Sequence, residues 1–155
     1  MHPKITLYTD GSSRGNPGPG GYGVVLISGP HRKELSKGYK LTTNNRMELL
    51  AVISGLEALK IIPCNVTVYS DSKYVVDAVQ KNWLFDWERK MFKKKKNMDL
   101  WIRFLDVYRM HNVEFIWVKG HSNNVENNRC DVLAVNASLY NDFLFDDVGY
   151  VSENI

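Results

Sequence analysis

Between Lys4 and Asp10 apolar and polar positions alternate: Ile5, Leu7 and Thr9 fall on one side, Thr6, Tyr8 and Asp10 on the other. A period of two predicts a strand with one buried face. Gly11 to Gly21 is dense in glycine and proline and reads as a turn or loop. Tyr22 to Ser28 is a nearly continuous apolar run, a second strand, and Glu34 to Leu41 returns as a third. The short links between these three favour an antiparallel meander. The period then changes. Leu49, Val52, Ile53, Leu56 and Leu59 recur at helical spacing, and Ile61-Ile62-Pro63 ends that helix. Asn65 to Ser70 alternates again as a fourth strand, and Ser70 or Ser72 caps a short helix running to about Gln80. A basic, aromatic segment leads into a helix from about Met98 to Met110. Val113 to Val118 gives a fifth strand, and a last helix runs from about Val125 to Tyr140.

The order β-β-β-α-β-α-α-α-β-α predicts an α/β fold: a five-stranded mixed sheet flanked by helices, three strands antiparallel, then strands four and five parallel to strand one. The strand–helix–strand crossovers should be right-handed. No repeat or linker interrupts the pattern, so residues 1–155 are expected to form a single domain.

Composition narrows the class. A chain of 155 residues, 44% hydrophobic and 24% charged, can bury a sufficient core without disulfides or a structural metal. Cys64 and Cys130 have neither metal spacing nor a disulfide framework, and read as free thiols in a reducing cytoplasm. Met1-His2-Pro3-Lys4 leads straight into a strand, unlike a leader, and the apolar run Val24 to Ile27 is far too short to span a bilayer. No membrane association is expected. The formal charge of +3 is unevenly spread: residues 81–103 hold eight basic side chains against three acidic ones, while residues 142–155 hold four acids and no Lys or Arg. The basic stretch suits a polyanion, although a charge run is more often a solvated face. Residues 143–155 read as an acidic tail free to be flexible.

Four acids fall where a parallel sheet places its chemistry, off the carboxyl ends of strands. Asp10 ends the first strand, Asp71 ends the fourth, Glu48 opens the first helix and Asp131 lies early in the last. Each has an ordinary explanation alone. Asp10-Gly11 is a turn pair, Asn45 and Glu48 have capping-box spacing, and Asp71 and Asp131 favour helix N-termini. Their surroundings change the balance. The chain contains Tyr8-Thr9-Asp10-Gly11-Ser12, the loop Gly15 to Gly23, Thr42-Thr43-Asn44-Asn45-Arg46-Met47-Glu48, Ser70-Asp71-Ser72, Trp117-Val118-Lys119-Gly120-His121 and Asn127-Asn128-Arg129-Cys130-Asp131. These six blocks, in this order from about Ile5 to Tyr150, closely resemble bacterial-type ribonuclease H, type 1.

The resemblance implies hydrolysis of the RNA strand of RNA–DNA hybrids, leaving 5′-phosphate and 3′-hydroxyl ends. It implies a catalytic set of Asp10, Glu48, Asp71, His121 and Asp131, the four carboxylates holding two Mg²⁺ ions during catalysis, with Mn²⁺ able to substitute. Crowded acids without a cation repel one another, which itself suits a metal site. His121 matches a mobile histidine that assists proton transfer or product release; His2, His31 and His111 read as ordinary surface residues. Contacts to the hybrid are implied for Gly11, Ser13, Asn16, Asn44, Asn45 and Lys73, and a DNA-phosphate pocket for Thr43 and Asn97. Residues 81–97 resemble the family's basic handle, where Trp83 and Trp87 would meet deoxyriboses and lysines meet phosphates. Trp101 should be buried and Trp83 partly exposed. Lys73 stands where many relatives have Gln, Leu41 where many have Arg, and the handle is shorter after Phe92, so affinity should lean on salt-sensitive charge. The protein is expected to act as a monomer. Other nucleases of the same fold lack the Thr42–Glu48 block and the handle. A small-molecule binder would need a glycine-rich loop opening a helix, and the Gly15–Gly20 loop joins two strands. A catalytically inactive hybrid-binding module is the alternative from another class.

Overall fold

In the computed structural model, which describes residues 2–120, 123–140 and 144–154, the alternation of apolar positions becomes one five-stranded sheet. Its strands are β1 (Lys4–Ser13), β2 (Gly18–Ser28), β3 (His31–Thr42), β4 (Asn65–Ser70) and β5 (Asn112–Trp117), in the spatial order β3-β2-β1-β4-β5. The first three pair antiparallel; β4 runs parallel to β1, and β5 parallel to β4. The predicted mixed sheet is therefore present. The helices are α1 (Asn44–Glu57), α2 (Lys73–Gln80), α3 (Trp83–Arg89), α4 (Met98–Tyr108), α5 (Val125–Leu139) and α6 (Val148–Glu153), the last an addition to the sequence reading. Among the described residues no helix is long and apolar enough to cross a membrane.

Successive residues of β2 show how the two faces are covered. Val24 points to α1, where its side chain lies beside Gly55, whereas Gly23 lies directly beneath Cys130 of α5. Ile5, Leu7, Val66 and Val68 join Val24 on the first face and pack with Met47, Leu49, Ile53 and Leu56 of α1. α4 closes this core with Trp101 and Phe104, both fully buried, so α1 is enclosed between sheet and helix and is apolar almost all round. Trp101 is buried and Trp83 is 44% exposed, as expected. His111 is not a surface residue: it is buried, and its Nδ1 accepts a 2.9 Å hydrogen bond from the Cys64 amide.

The stretch from Gly11 to Gly21 departs from its reading as a loop. β1 continues to Ser13 and β2 begins at Gly18, with Gly11 opposite Tyr22 and Ser12 opposite Gly21. The glycines are there for close approach. A Cβ on Gly11 would strike the Met47–Glu48 backbone of α1, and one on Gly21 or Gly23 would strike the Ala134 or Cys130 carbonyl of α5. Removing side chains lets both helices lie against the sheet backbone, one on each face.

A second device fixes the start of α1. The Arg46 guanidinium, 1% exposed, donates to Asp99 of α4 (2.7 and 2.8 Å) and to Asp147 before α6 (2.8 and 2.9 Å). Asp147 also accepts from the Thr42 hydroxyl and caps α6 at the Tyr150 amide. One buried cation thus joins β3, α1, α4 and the C-terminal segment.

Candidate active site

The last residues paired between β1 and β4 are Thr9 and Ser70, and the next residue of each chain segment is an acid, Asp10 or Asp71. Two adjacent parallel strands therefore deliver their carboxylates side by side at one sheet edge. The third comes from α1. Its N-cap is Thr43, whose hydroxyl accepts from the Arg46 amide, so the capping box read at Asn45 and Glu48 is not formed. The cap sits two residues earlier, and Glu48 is released from capping to turn toward the sheet. The Gly11 amide donates to Glu48 Oε1 and, at 2.9 Å, to Asp10 Oδ1. Gly11 thus admits α1 by its missing side chain and gathers two carboxylates on its N–H.

Ligand-capable oxygens of Asp10, Glu48 and Asp71 all lie within 4.8 Å of one another. Asp131, from α5, lines the same open cleft of about 440 Å³. Burial pushes the Asp10 carboxyl up to about 7, and the charges of Asp71 and Asp131 add to it, while Glu48 and the Gly11 amide offset part of the rise. Glu48 is held well above the usual carboxylate range, chiefly by burial and then by Asp10. With no cation the cluster favours retaining a proton. The donor set is all hard carboxylate oxygen, with neither sulfur nor imidazole among the described residues, and suits a hard divalent cation.

The remaining expected residues divide into groups. Asn44 Oδ1 accepts from the Ser13 amide (2.6 Å) and hydroxyl (3.0 Å), and the Asn44 amide donates to Asn16 Oδ1 at 3.1 Å. This exposed lattice ties the β1–β2 turn to the first turn of α1. Asn44, Asn45, Gly11 and Lys73 line the cleft with the acids. The Lys73 ammonium lies 4.3 Å from the centre of the Trp117 ring, and Trp117 Nε1 donates to the Asp71 carbonyl. Trp83 and Trp87 line a separate basic groove with Lys90, Lys93, Lys94 and Lys95; Lys81 sits over Trp83 and Lys95 over Trp87. Asn97 is not brought into the cleft. It is buried, with Oδ1 accepting from Arg46, Nδ2 donating to the Tyr74 hydroxyl and its amide donating to Glu153. His121 lies outside the described residues. Sequence reasoning passed over Asn127, which lines the cleft one helical turn before Asp131. Its spacing of four from an expected metal ligand was the available signal.

Comparison with known proteins agrees with this geometry. A family model described as RNase H matches residues 2–139. The chain is similar to a ribonuclease H of Trichodesmium erythraeum, 57% identical over 152 residues that cover 95% of this chain and 96% of the relative. A ribonuclease H of Syntrophus aciditrophicus is 56% identical over 140 residues, 87% of this chain and 80% of that one. Among solved structures, LC9-RNase H1, described as a type 1 RNase H with the type 2 active-site motif, superposes with a TM-score of 0.81 at 32% identity, covering 89% of this chain and 73% of its own. LC11-RNase H1 in complex with an RNA/DNA hybrid gives a TM-score of 0.62 at 28% identity, covering 86% and 96%.

Proposed function

The chain belongs to the RNase H family, and from that premise we propose that it is an endonuclease hydrolysing the RNA strand of RNA–DNA hybrids, with two Mg²⁺ ions, replaceable by Mn²⁺. The products would be a 5′-phosphate and a 3′-hydroxyl. The observation that carries this reading is the convergence of Asp10, Glu48 and Asp71, from two parallel strands and a helix, beside Asp131 in one open cleft. LC11-RNase H1, of related fold, was captured with such a hybrid.

Asp10, Glu48, Asp71 and Asp131 would hold the cations, and bound divalent ions supply Lewis acidity toward the phosphate and lower the pKa of coordinated water. The chain's own part is placement. The Gly11 amide fixes Asp10 and Glu48 together, and the Trp117 indole anchors the Asp71 carbonyl. Ser13, Asn16, Asn44 and Asn45 offer groups that both donate and accept, as recognition of a 2′-hydroxyl across a minor groove requires. Lys73 adds positive charge beside the acids. The handle, residues 81–97, presents Trp83, Trp87 and its lysines to the DNA strand. Thr43 and Asn97 would contact a DNA phosphate, for which the Asn97 amide must be released from Glu153. His121 would assist proton transfer or product release. The protein would act as a monomer in the cytoplasm, in keeping with its two buried free thiols.

The test is a cleavage assay on end-labelled hybrid, duplex DNA and duplex RNA, with Mg²⁺, with Mn²⁺ and with chelator. Cutting of the hybrid's RNA strand alone, abolished by chelator, is expected. Tight hybrid binding with no cleavage under any metal would leave the inactive binding module instead.

A further inference from the structure

The carboxylates arrive from four different elements, and something must hold the most remote of them in register. Asp131 is carried by α5, on the opposite face of the sheet from α1. We propose that Asn127 is a positioning residue of the active site, its amide locking the first turn of α5 onto the ends of β1 and β4 and thereby setting Asp131 against Asp10 and Asp71. The inference rests on the nuclease reading above and adds a residue to it.

Asn127 Nδ2 donates to the carbonyls of both Thr9 (3.5 Å) and Tyr69 (3.4 Å). Thr9 immediately precedes Asp10, and Tyr69 lies two residues before Asp71. One amide therefore bridges the two strands at the point where each delivers its acid. The Tyr69 carbonyl also accepts from the Thr9 hydroxyl, itself buried, so the same oxygen joins β1, β4 and α5. Asn127 is anchored on its other side as well, its backbone amide donating to the Asn124 cap at 3.1 Å. Asp131 lies four residues on, where helical side chains share a face.

The opposite end of this amide strengthens the case. Asn127 Oδ1 is buried and is the one buried side-chain polar atom, among the described residues, without a hydrogen-bond partner. An orphaned acceptor is destabilising, since its lost hydration is not replaced by a hydrogen bond. A fold that needed only a well-packed helix would be served by an apolar side chain here. The forked NH₂ group, which meets two carbonyls at once, is what a smaller or apolar residue lacks.

The experiment compares Asn127→Ala, Asn127→Ser and Ala134→Gly with the wild type. Ala134→Gly weakens α5 one turn beyond Asp131 without touching the strand carbonyls. Mg²⁺ binding is read by calorimetry without substrate, together with thermal midpoint, kcat and KM on hybrid. Asn127→Ala should weaken Mg²⁺ binding at least fivefold and lower kcat at least tenfold with KM within twofold. Asn127→Ser, retaining one donor, should fall between, and decides the matter alone should the alanine variant not fold. Ala134→Gly should lose thermal stability yet bind Mg²⁺ within twofold of the wild type. Wild-type Mg²⁺ affinity in both Asn127 variants, or an equal loss in Ala134→Gly, overturns the positioning role while leaving the nuclease reading intact. A wild-type protein that neither binds Mg²⁺ nor cuts hybrid overturns both.

Discussion

Asp10→Asn is expected to stabilise the metal-free protein while nearly abolishing cleavage. Burial and the neighbouring acids lift Asp10 from its ordinary 3.8 to about 7. A carboxyl whose folded-state pKa is raised retains a proton that the unfolded chain has released, so stability falls as pH rises from 3.8 toward 7 and stays low above. A gap of about three units at ~1.36 kcal/mol each sets a ceiling of ~4 kcal/mol. Asp10 and Glu48 share the same relief, so half of that, ~2 kcal/mol, is the reasonable expectation for removing one charge. For a domain of this size the thermal midpoint should rise by about 4–8 °C at pH 8 in chelator. At pH 5 the rise should shrink to roughly a third, because the wild-type carboxyl is then protonated in the fold. Saturating Mg²⁺ should reverse the order, since a ligand at a hundredfold excess over its dissociation constant stabilises by about 2.7 kcal/mol. Calorimetric melts of both proteins at the two pH values, with and without Mg²⁺, read all of this. A variant less stable than wild type in chelator at pH 8, or a shift independent of pH, would refute the assignment of a strained acid cluster.

Replacing Lys93, Lys94, Lys95 and Lys96 with Ala should reduce the salt slope of hybrid binding by roughly 0.7–0.9 for each phosphate no longer neutralised, with kcat on saturating hybrid little changed; an unaltered slope and KM would remove the handle from substrate binding. Lys94→Gly alone should raise the thermal midpoint by about 1–4 °C. Lys94 holds φ at 60°, and relief of that strain, about 1–2 kcal/mol, exceeds glycine's entropic cost of about 0.5–1 kcal/mol. Arg46→Ala should destabilise by about 3–5 kcal/mol in denaturant unfolding, because it strands Asp147, 7% exposed, without its cation.

Much of the architecture was legible because period alone encodes it. Asn65–Ser70 alternates cleanly and is β4 to the residue, and the stripe from Leu49 to Leu56 is the buried face of α1. The errors arose where a residue type has two uses. Glycines between Gly11 and Gly21 signal turns locally, but Gly11 and Gly21 make room for helices that only the tertiary fold brings near. Asn45 and Glu48 have capping-box spacing, yet Thr43 takes the cap and frees the glutamate for the site. The three clustered acids were identifiable through the neighbouring blocks that resemble a known family, not through spacing, since residues 10, 48 and 71 share no periodicity. Asn97 stays an expectation by resemblance; what the sequence hid is its partner Glu153, which comes from a helix that the acidic C-terminal composition did not reveal. Asn127 was invisible as a bridge because its acceptors, the Thr9 and Tyr69 carbonyls, are backbone atoms.

The track of glycines beneath α5 acts as a gauge for catalysis. A helix resting on side chains can settle by a rotamer change when one of them is altered. Resting at Gly21, Gly23 and Gly38 on bare backbone, α5 has no such cushion, and its height above the sheet is dictated by peptide thickness. Asp131 rides on that helix and inherits its height. The placement of a carboxylate proposed to hold metal is thus set by an absence of atoms on β2 and β3, at residues that need never meet the proposed substrate.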